Sequence, residues 1–424
     1  MGKKEKIPAP GAKTDKYTNF YSKSKWKGFL SKPVLELAGR SIEQRGALII
    51  GNALAKNRMV TSVDFSHNHM GDGGAIEIAQ ILKVNEFIQN INLSHNDITD
   101  VGGIALASSF IPCANPTGQP AQWNRSIYYM NLSCNQMSDD TMLAFSNSAA
   151  CHRELSKVDF SWNNVGPQGT KCLLRSMQRN PHCSFVLSAN VIGDEGVEYL
   201  CDAWRRYGGK GNSSLQLFRN DISKNGADAI GRLIEGNDFI VDINLSCNTL
   251  GFKGMQLLGQ RFIAAKNIVR YLNVSNNMLG DEGAEEMAQL IASSPESLTK
   301  LNISANDITD KGGAALAHAL GKNNNLIIVN FSENTFGPKT IDALSEPIRN
   351  AKVLKMLDVR KCLPTTELKQ QIMSISNENP GIRVDTGVSD EDIFGEMMGK
   401  ITEHMQKILE DEEKGRNKKK KKKD

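Results

Sequence analysis

Ile91-Asn-Leu-Ser-His-Asn96, Ile243-Asn-Leu-Ser-Cys-Asn248 and Leu301-Asn-Ile-Ser-Ala-Asn306 are three copies of one six-residue phrase. Apolar and polar residues alternate in each, as in a strand with one buried face. The closing asparagine recurs at Asn68, Asn96, Asn135, Asn163, Asn190, Asn220, Asn248, Asn277, Asn306 and Asn334. Degenerate copies stand one period outside, with Arg40 and Cys362 in the asparagine slot. From Arg40 to Cys362 the steps are 28, 28, 39, 28, 27, 30, 28, 29, 29, 28 and 28. A fixed period of this size marks a stack of like supersecondary units.

Within one unit, Leu298, Leu301 and Ile303 must point into a core, while Asn302 and Ser304 face the other way. The Asn306 amide is placed to bond the backbone of the neighbouring coil. Asp310 is positioned to cap the helix start, and Ala315, Leu316, Ala319 and Leu320 give an apolar helical stripe. Aspartate recurs in that slot at Asp72, Asp100, Asp139, Asp194 and Asp281, with glycine two residues later at Gly74, Gly102, Gly196, Gly283 and others. A missing side chain there suits close approach between turns. No unit buries its apolar face alone, so neighbours must stack.

Leu-x-Leu-Ser-x-Asn followed by Gly-Asp-x-Gly-Ala resembles the ribonuclease-inhibitor type of leucine-rich repeat, over about residues 33 to 384. The resemblance implies an α/β fold: a leucine-rich repeat solenoid, or horseshoe, of about twelve repeats. A parallel β-sheet would line its concave face and helices its convex face. That group includes inhibitors, innate-immune receptors, Ran GTPase activators, actin-capping proteins and ciliary dynein-regulatory-complex subunits. The resemblance therefore implies a protein-binding role without naming the partner.

Charge divides the chain into three parts: an arm (1–32), the repeats (33–384) and a tail (385–424). The arm carries nine lysines against Glu5 and Asp15, a balance of +7; the repeats carry −2 and the tail −1. No run of about 18 apolar residues exists to span a membrane, and the first residues have no apolar segment of a signal peptide. Eight scattered cysteines without a CxxC pair read as reduced thiols of a cytoplasmic protein.

In the arm, Tyr17, Phe20, Tyr21, Trp26 and Phe29 interleave with lysines. Trp26 and Phe29 fit a cap on the first repeat, and Trp26 is also assigned to partner binding. Tyr17, Phe20 and Tyr21 fit anchors on an acidic partner, with lysines supplying charge. The 39-residue step holds an insertion of about eleven residues that includes Trp123, which either contacts a partner or folds back on its helix. Beyond Ser389, Ile393, Met397, Ile401, Met405 and Ile408 share one helix face. That face either closes the solenoid or docks on another protein. The tail ends in six lysines, Lys418 to Lys423; Lys418 and Lys420 are among those assigned to contacts with an acidic partner such as the tails of tubulin.

The inward strand positions read Asp64/Ser66, Asn92/Ser94, Asn131/Ser133, Asn244/Ser246, Asn302/Ser304 and so on, small and nearly identical. Gln216, Phe218, Arg219, Asp358 and Arg360 depart from this, and Phe218, Arg219 and Arg360 are the residues assigned to partner binding there. His67, His95, Cys134 and Trp162 share the slot before the asparagine in four successive repeats. A flat row does not give the tetrahedral geometry of zinc, so a polar rim is expected and no metal or other cofactor is assigned. No nucleophile motif or phosphate loop is present, and no enzyme activity or small-molecule substrate is assigned.

These residues lead to a non-enzymatic, protein-binding scaffold of a larger cytoskeletal assembly, contacting other proteins rather than nucleic acid or a membrane interior. Extensions of this kind resemble those of ciliary and flagellar axonemal scaffolds, which implies tubulin or dynein-regulatory partners. The alternative is a Ran-activator-like regulator of a small GTPase using the concave face, with Arg40 and Arg45 as the arginines to test.

Overall fold

The computed structural model of the chain describes residues 30–112, 123–207, 214–265, 268–293 and 297–387. The arm, the lysine tail and the Ile393–Ile408 face lie outside the described residues. So do Tyr17, Phe20, Tyr21, Trp26, Met397, Ile401, Met405, Lys418 and Lys420, assigned above to partner contacts.

Strand and helix alternate throughout. The strands are β1 (Val34–Glu36), β2 (Ser62–Asp64), β3 (Asn90–Asn92), β4 (Tyr129–Asn131), β5 (Lys157–Asp159), β6 (Ser184–Val186), β7 (Ser214–Gln216), β8 (Asp242–Asn244), β9 (Tyr271–Asn273), β10 (Lys300–Asn302), β11 (Ile328–Asn330), β12 (Met356–Asp358) and β13 (Arg383–Asp385). The helices are α1 (Gln44–Leu54), α2 (Gly71–Leu82), α3 (Asp100–Ser108), α4 (Asp139–Ala149), α5 (Pro167–Arg179), α6 (Gly193–Tyr207), α7 (Lys224–Glu235), α8 (Gly251–Ala264), α9 (Gly280–Ala292), α10 (Asp310–Leu320), α11 (Pro338–Arg349) and α12 (Thr366–Asn377). Paired strands are all parallel and in register, residue for residue, as in Leu301 opposite Val329. Strands stack about 4.8 Å apart and helices about 10 Å, so the helical side must be the longer, convex one. The expected α/β leucine-rich-repeat solenoid is what the chain forms. Leu298, Leu301 and Ile303 are buried, as are the counterparts of Leu301 and Ile303 on the other strands, except Phe185 of β6 and Val384 of β13, which are half-buried.

Three side-chain ladders hold one turn to the next. The first is the expected asparagine ladder. Asn306 Nδ2 donates to Val274 O of the preceding repeat at 3.0 Å, and Asn306 N donates to Asn334 Oδ1 of the following one at 3.0 Å. Cys362 takes over the slot at the end of the series, its thiol donating to Phe331 O at 3.0 Å.

The second ladder corrects the capping expectation. Asp310 does not cap its own helix; Thr309 is the N-cap of α10 and accepts from Lys311 N at 3.4 Å. The Asp310 carboxylate instead caps the next helix, accepting from Gly337 N at 2.9 Å and Thr340 N at 2.8 Å. Asp72, Asp100, Asp139, Asp194 and Asp281 do the same for α3, α4, α5, α7 and α10. These capping bonds hold the Asp100, Asp281 and Asp310 carboxyls below the usual carboxylate range, against the burial that pushes the other way. The glycine two places into each helix makes room: a Cβ on Gly102 would stand 2.7 Å from Asp72 Oδ1.

The third ladder runs along the opposite edge, between helix and strand, and sequence reading missed it. Asn85 Nδ2 donates to Leu54 O and Asn57 O at 2.7 and 3.1 Å, while its Oδ1 accepts from Phe87 N and Ile88 N. Asn57, Asn124, Asn180, Asn237, Asn323 and Asn379 hold the same slot. His152 replaces asparagine once; its Nδ1 accepts from Leu155 N at 2.9 Å, and its Nε2 is buried with no hydrogen-bond partner.

The sheet departs from expectation in one place. It is not continuous: β1–β6 form one sheet and β7–β13 another. In ten strands an Asn or Asp closes a tight turn by accepting from the backbone N–H two residues on, as Asn302 Oδ1 does from Ser304 N at 3.0 Å. β6 and β7 have Val186 and Gln216 in that position and lack the brace. The helix layer continues across the gap, with α6 packed on both α5 and α7.

Candidate interaction surfaces

The concave face is more fully committed to holding itself together than its polarity suggests. Its Asn and Asp side chains are used in the turn braces, which is the physical reason they vary so little. Arg360, assigned to partner binding, spends its guanidinium on Asp358, with Nη2 to Oδ2 at 2.7 Å and Nε to Oδ1 at 3.0 Å. That pairing raises the Arg360 value further.

Variation enters through a row that the sequence reading left out, two residues before the Asn/Asp position. It reads Asn90, Tyr129, Lys157, Ser184, Ser214, Asp242, Tyr271, Lys300, Ile328 and Met356 on successive strands. The Lys157 ammonium stands 5.7 Å from the Tyr129 ring centre. The signal was available as the strand position two before each inward asparagine.

Beside it lies the strongest cluster of hot-spot residue types on this face. The Arg219 guanidinium sits 4.9 Å from the Trp162 ring centre, and Trp162 and Phe218 are 6.1 Å apart. Trp162 and Arg219 are two repeats apart, and the intervening slot holds the small Ala189. All three occupy the left-handed backbone region, with φ of 58°, 53° and 50°. Trp162 remains 47% exposed. Two of the assigned residues, Phe218 and Arg219, are thus brought together with Trp162.

The His67/His95 row forms a stack rather than a metal site. The two rings lie 4.0 Å apart and nearly parallel. Burial, then the nearby His67, lowers the His95 value, and burial raises that of Cys134, disfavouring the thiolate a metal would need. His69 and Asp97 pair with each other at 2.7 Å instead of turning toward the row. Among the described residues, no three His, Cys, Asp or Glu are gathered to hold an ion.

Trp123 is half-buried beneath Arg125, whose guanidinium is 3.9 Å from the ring centre. The pair lines a cleft of about 860 Å³ with Tyr128, Cys151 and Arg153. Trp123 is thus neither fully exposed nor fully packed away.

A fourth surface is convex. Leu48, Ile76, Ile104 and Leu143 occupy one equivalent position on α1 to α4 and are all exposed. On α5 to α7 that position holds Lys171, Glu198 and Asp228. There ion pairs cross between helices: Arg232 to Glu198 at 2.8 Å, Arg261 to Glu235 at 2.8 Å.

The gap between β6 and β7 opens a crevice of about 290 Å³ into the core. Sealed and dry, a void of that volume would cost on the order of 7 kcal/mol.

Residues 56–79, 84–107, 184–201, 267–288 and 294–317 match the family model described as Leucine Rich repeat. Among solved structures, an internalin from Listeria monocytogenes is similar at 13% identity, with 76% of this chain and 86% of that one covered and a TM-score of 0.41. The Actin-Binding Site 2 of Leiomodin-1 is similar at 15% identity, covering 43% of this chain and 96% of that one, with a TM-score of 0.30. No helix among the described residues is long and apolar enough to cross a membrane.

Proposed function

We propose that this chain is a non-enzymatic, protein-binding leucine-rich-repeat scaffold within a larger cytoskeletal assembly. In the fuller form of the reading, it is a ciliary or flagellar axonemal component that contacts microtubules or dynein-regulatory proteins. One observation carries it: on ten strands the concave Asn or Asp accepts in a turn brace, which supports reading the repeats as a rigid spacer. Recognition then falls to the +7 arm and the lysine-ended tail. Clustered lysines with aromatic anchors complement an acidic surface such as the tubulin tails.

The test is cosedimentation with stabilised microtubules. The full chain is compared with one carrying serine at Lys418 to Lys423 and alanine at Tyr17, Phe20 and Tyr21, across a salt series. The full chain should pellet and be released by salt, while the altered chain stays in solution. A full chain that never pellets removes the microtubule reading.

The Trp162–Phe218–Arg219 cluster favours a second reading, a regulatory binder, of a small GTPase for example, that uses the concave face. It requires Phe218→Ala or Arg40→Ala to abolish binding, with the arm and tail dispensable.

A further inference from the structure

The break in the sheet is a structured opening. By the alternation of a parallel ladder, the Phe185 and Leu187 N–H groups are directed at β7. In other repeats the residue equivalent to Leu187 donates to the next strand: Leu132 N to Asp159 O at 2.8 Å, Phe160 N to Val186 O at 2.9 Å. Leu187 makes no such bond. Only above it do the lips meet again, where Ala189 N donates to Phe218 O at 2.6 Å. Ser188 Oγ reaches Gln216 O at 3.4 Å, occupying the acceptor that Leu187 would have used.

Below that pin, the walls are the side chains of Leu187, Leu215 and Trp204, with Cys183 among the residues lining the interior. The mouth carries Lys157, Ser184 and Ser214. Trp162, Phe218 and Arg219 stand toward the other end of these strands, at and beyond the Ala189–Phe218 contact.

We propose that this crevice is a docking slot for an extended segment of a partner protein carrying one bulky apolar side chain beside an acidic residue. The apolar side chain enters between β6 and β7, where 290 Å³ accommodates a phenylalanine or a leucine. The segment's backbone lies across the mouth, where one of its carbonyls accepts from Phe185 N, the unpaired N–H farther from the Ala189–Phe218 contact. Its carboxylate meets Lys157 on the β5 side. The unused ladder groups favour a peptide over a hydrocarbon ligand, which would leave them unpaired.

Amide hydrogen exchange on the full chain tests this, alone and with millimolar acetyl-Glu-Thr-Phe-Thr-Glu-amide or indole as probes. In the free chain, residues 184–188 should exchange far faster than β4 and β8. The peptide should slow them, and Lys157→Glu should weaken its binding about tenfold. Leu173→Phe, which fills the crevice from α5, should abolish binding. Because Leu173 is buried, the exposed Lys157→Glu remains the decisive variant should the filled one misfold. Three results overturn the proposal. Residues 184–188 could be as protected as β4 in the free chain. The peptide could leave them unchanged. Indole alone could protect them, which would assign the crevice to small apolar molecules.

Discussion

Asp281 Oδ1 accepts from Gly312 N at 3.0 Å and lies 2.6 Å from where a Cβ on Gly312 would stand. The cap and the glycine are therefore one device, shared between adjacent repeats.

Gly312→Ala should expel the Asp281 carboxylate and press on Ala284. Loss of the cap and overpacking together predict a destabilisation of about 2 to 4 kcal/mol. Urea unfolding measures it. Asp281→Ala should cost about 1 kcal/mol, and the double variant should be much less than additive, because both changes remove one contact.

Asn306→Ala should be among the most damaging polar substitutions. It leaves Val274 O, Ile303 O and Asn277 N without their buried partner. At about 1 to 3 kcal/mol for each unmet group, a loss of at least 3 kcal/mol is expected. Ser304→Ala, on the half-exposed concave face, should stay within about 0.5 kcal/mol. Parallel thermal melts separate the two.

Burial holds the His152 imidazole below its ordinary value of 6.5, and its neutral Nδ1 accepts from Leu155 N. The folded state thus binds fewer protons than the unfolded chain between the two values. Its contribution is full above about 6.5 and is lost as pH falls through the lower, folded value. The melting temperature should drop on acidification below pH ~6.5. His152→Asn, restoring the ladder residue, should remove most of that drop. His95, lowered by burial and by His67, contributes a slope of the same sign that remains in the variant.

Burial pushes the Cys183, Cys201 and Cys362 thiols up to about 12. Cys151 is exposed. Limited iodoacetamide treatment at pH ~8, read by mass spectrometry, should label Cys151 early and leave those three unlabelled until the chain is denatured.

The period, the strand core and the first asparagine ladder were legible because each repeats in sequence with fixed spacing. The direction of the aspartate cap was not. Asp310 is adjacent in sequence to its own helix, and only stacking shows that Thr340, 30 residues on, is its partner. The second edge ladder was visible as asparagine three residues before an aliphatic, in Asn57/Val60, Asn85/Ile88 and Asn323/Leu326. It falls in coil, outside the periodic strand and helix patterns. For the sheet break, Gln216 stood out as an exception, but Val186 did not. Their coincidence on adjacent strands mattered more than either residue. Arg360 looked like an exposed cation because sequence does not show Asp358 folding onto it.

The ladders also have a direction. The turn amide at Asn68 is satisfied only by Asn96, made 28 residues later, whereas the α3 amides at Thr99 and Gly102 are satisfied by Asp72, already made. On the ribosome, the six helices capped by an aspartate of the preceding repeat emerge to a waiting acceptor. Each turn emerges without one, and stays open until the next repeat is translated. The nascent solenoid should therefore close one repeat behind its own synthesis, with an unfinished turn always at its growing end.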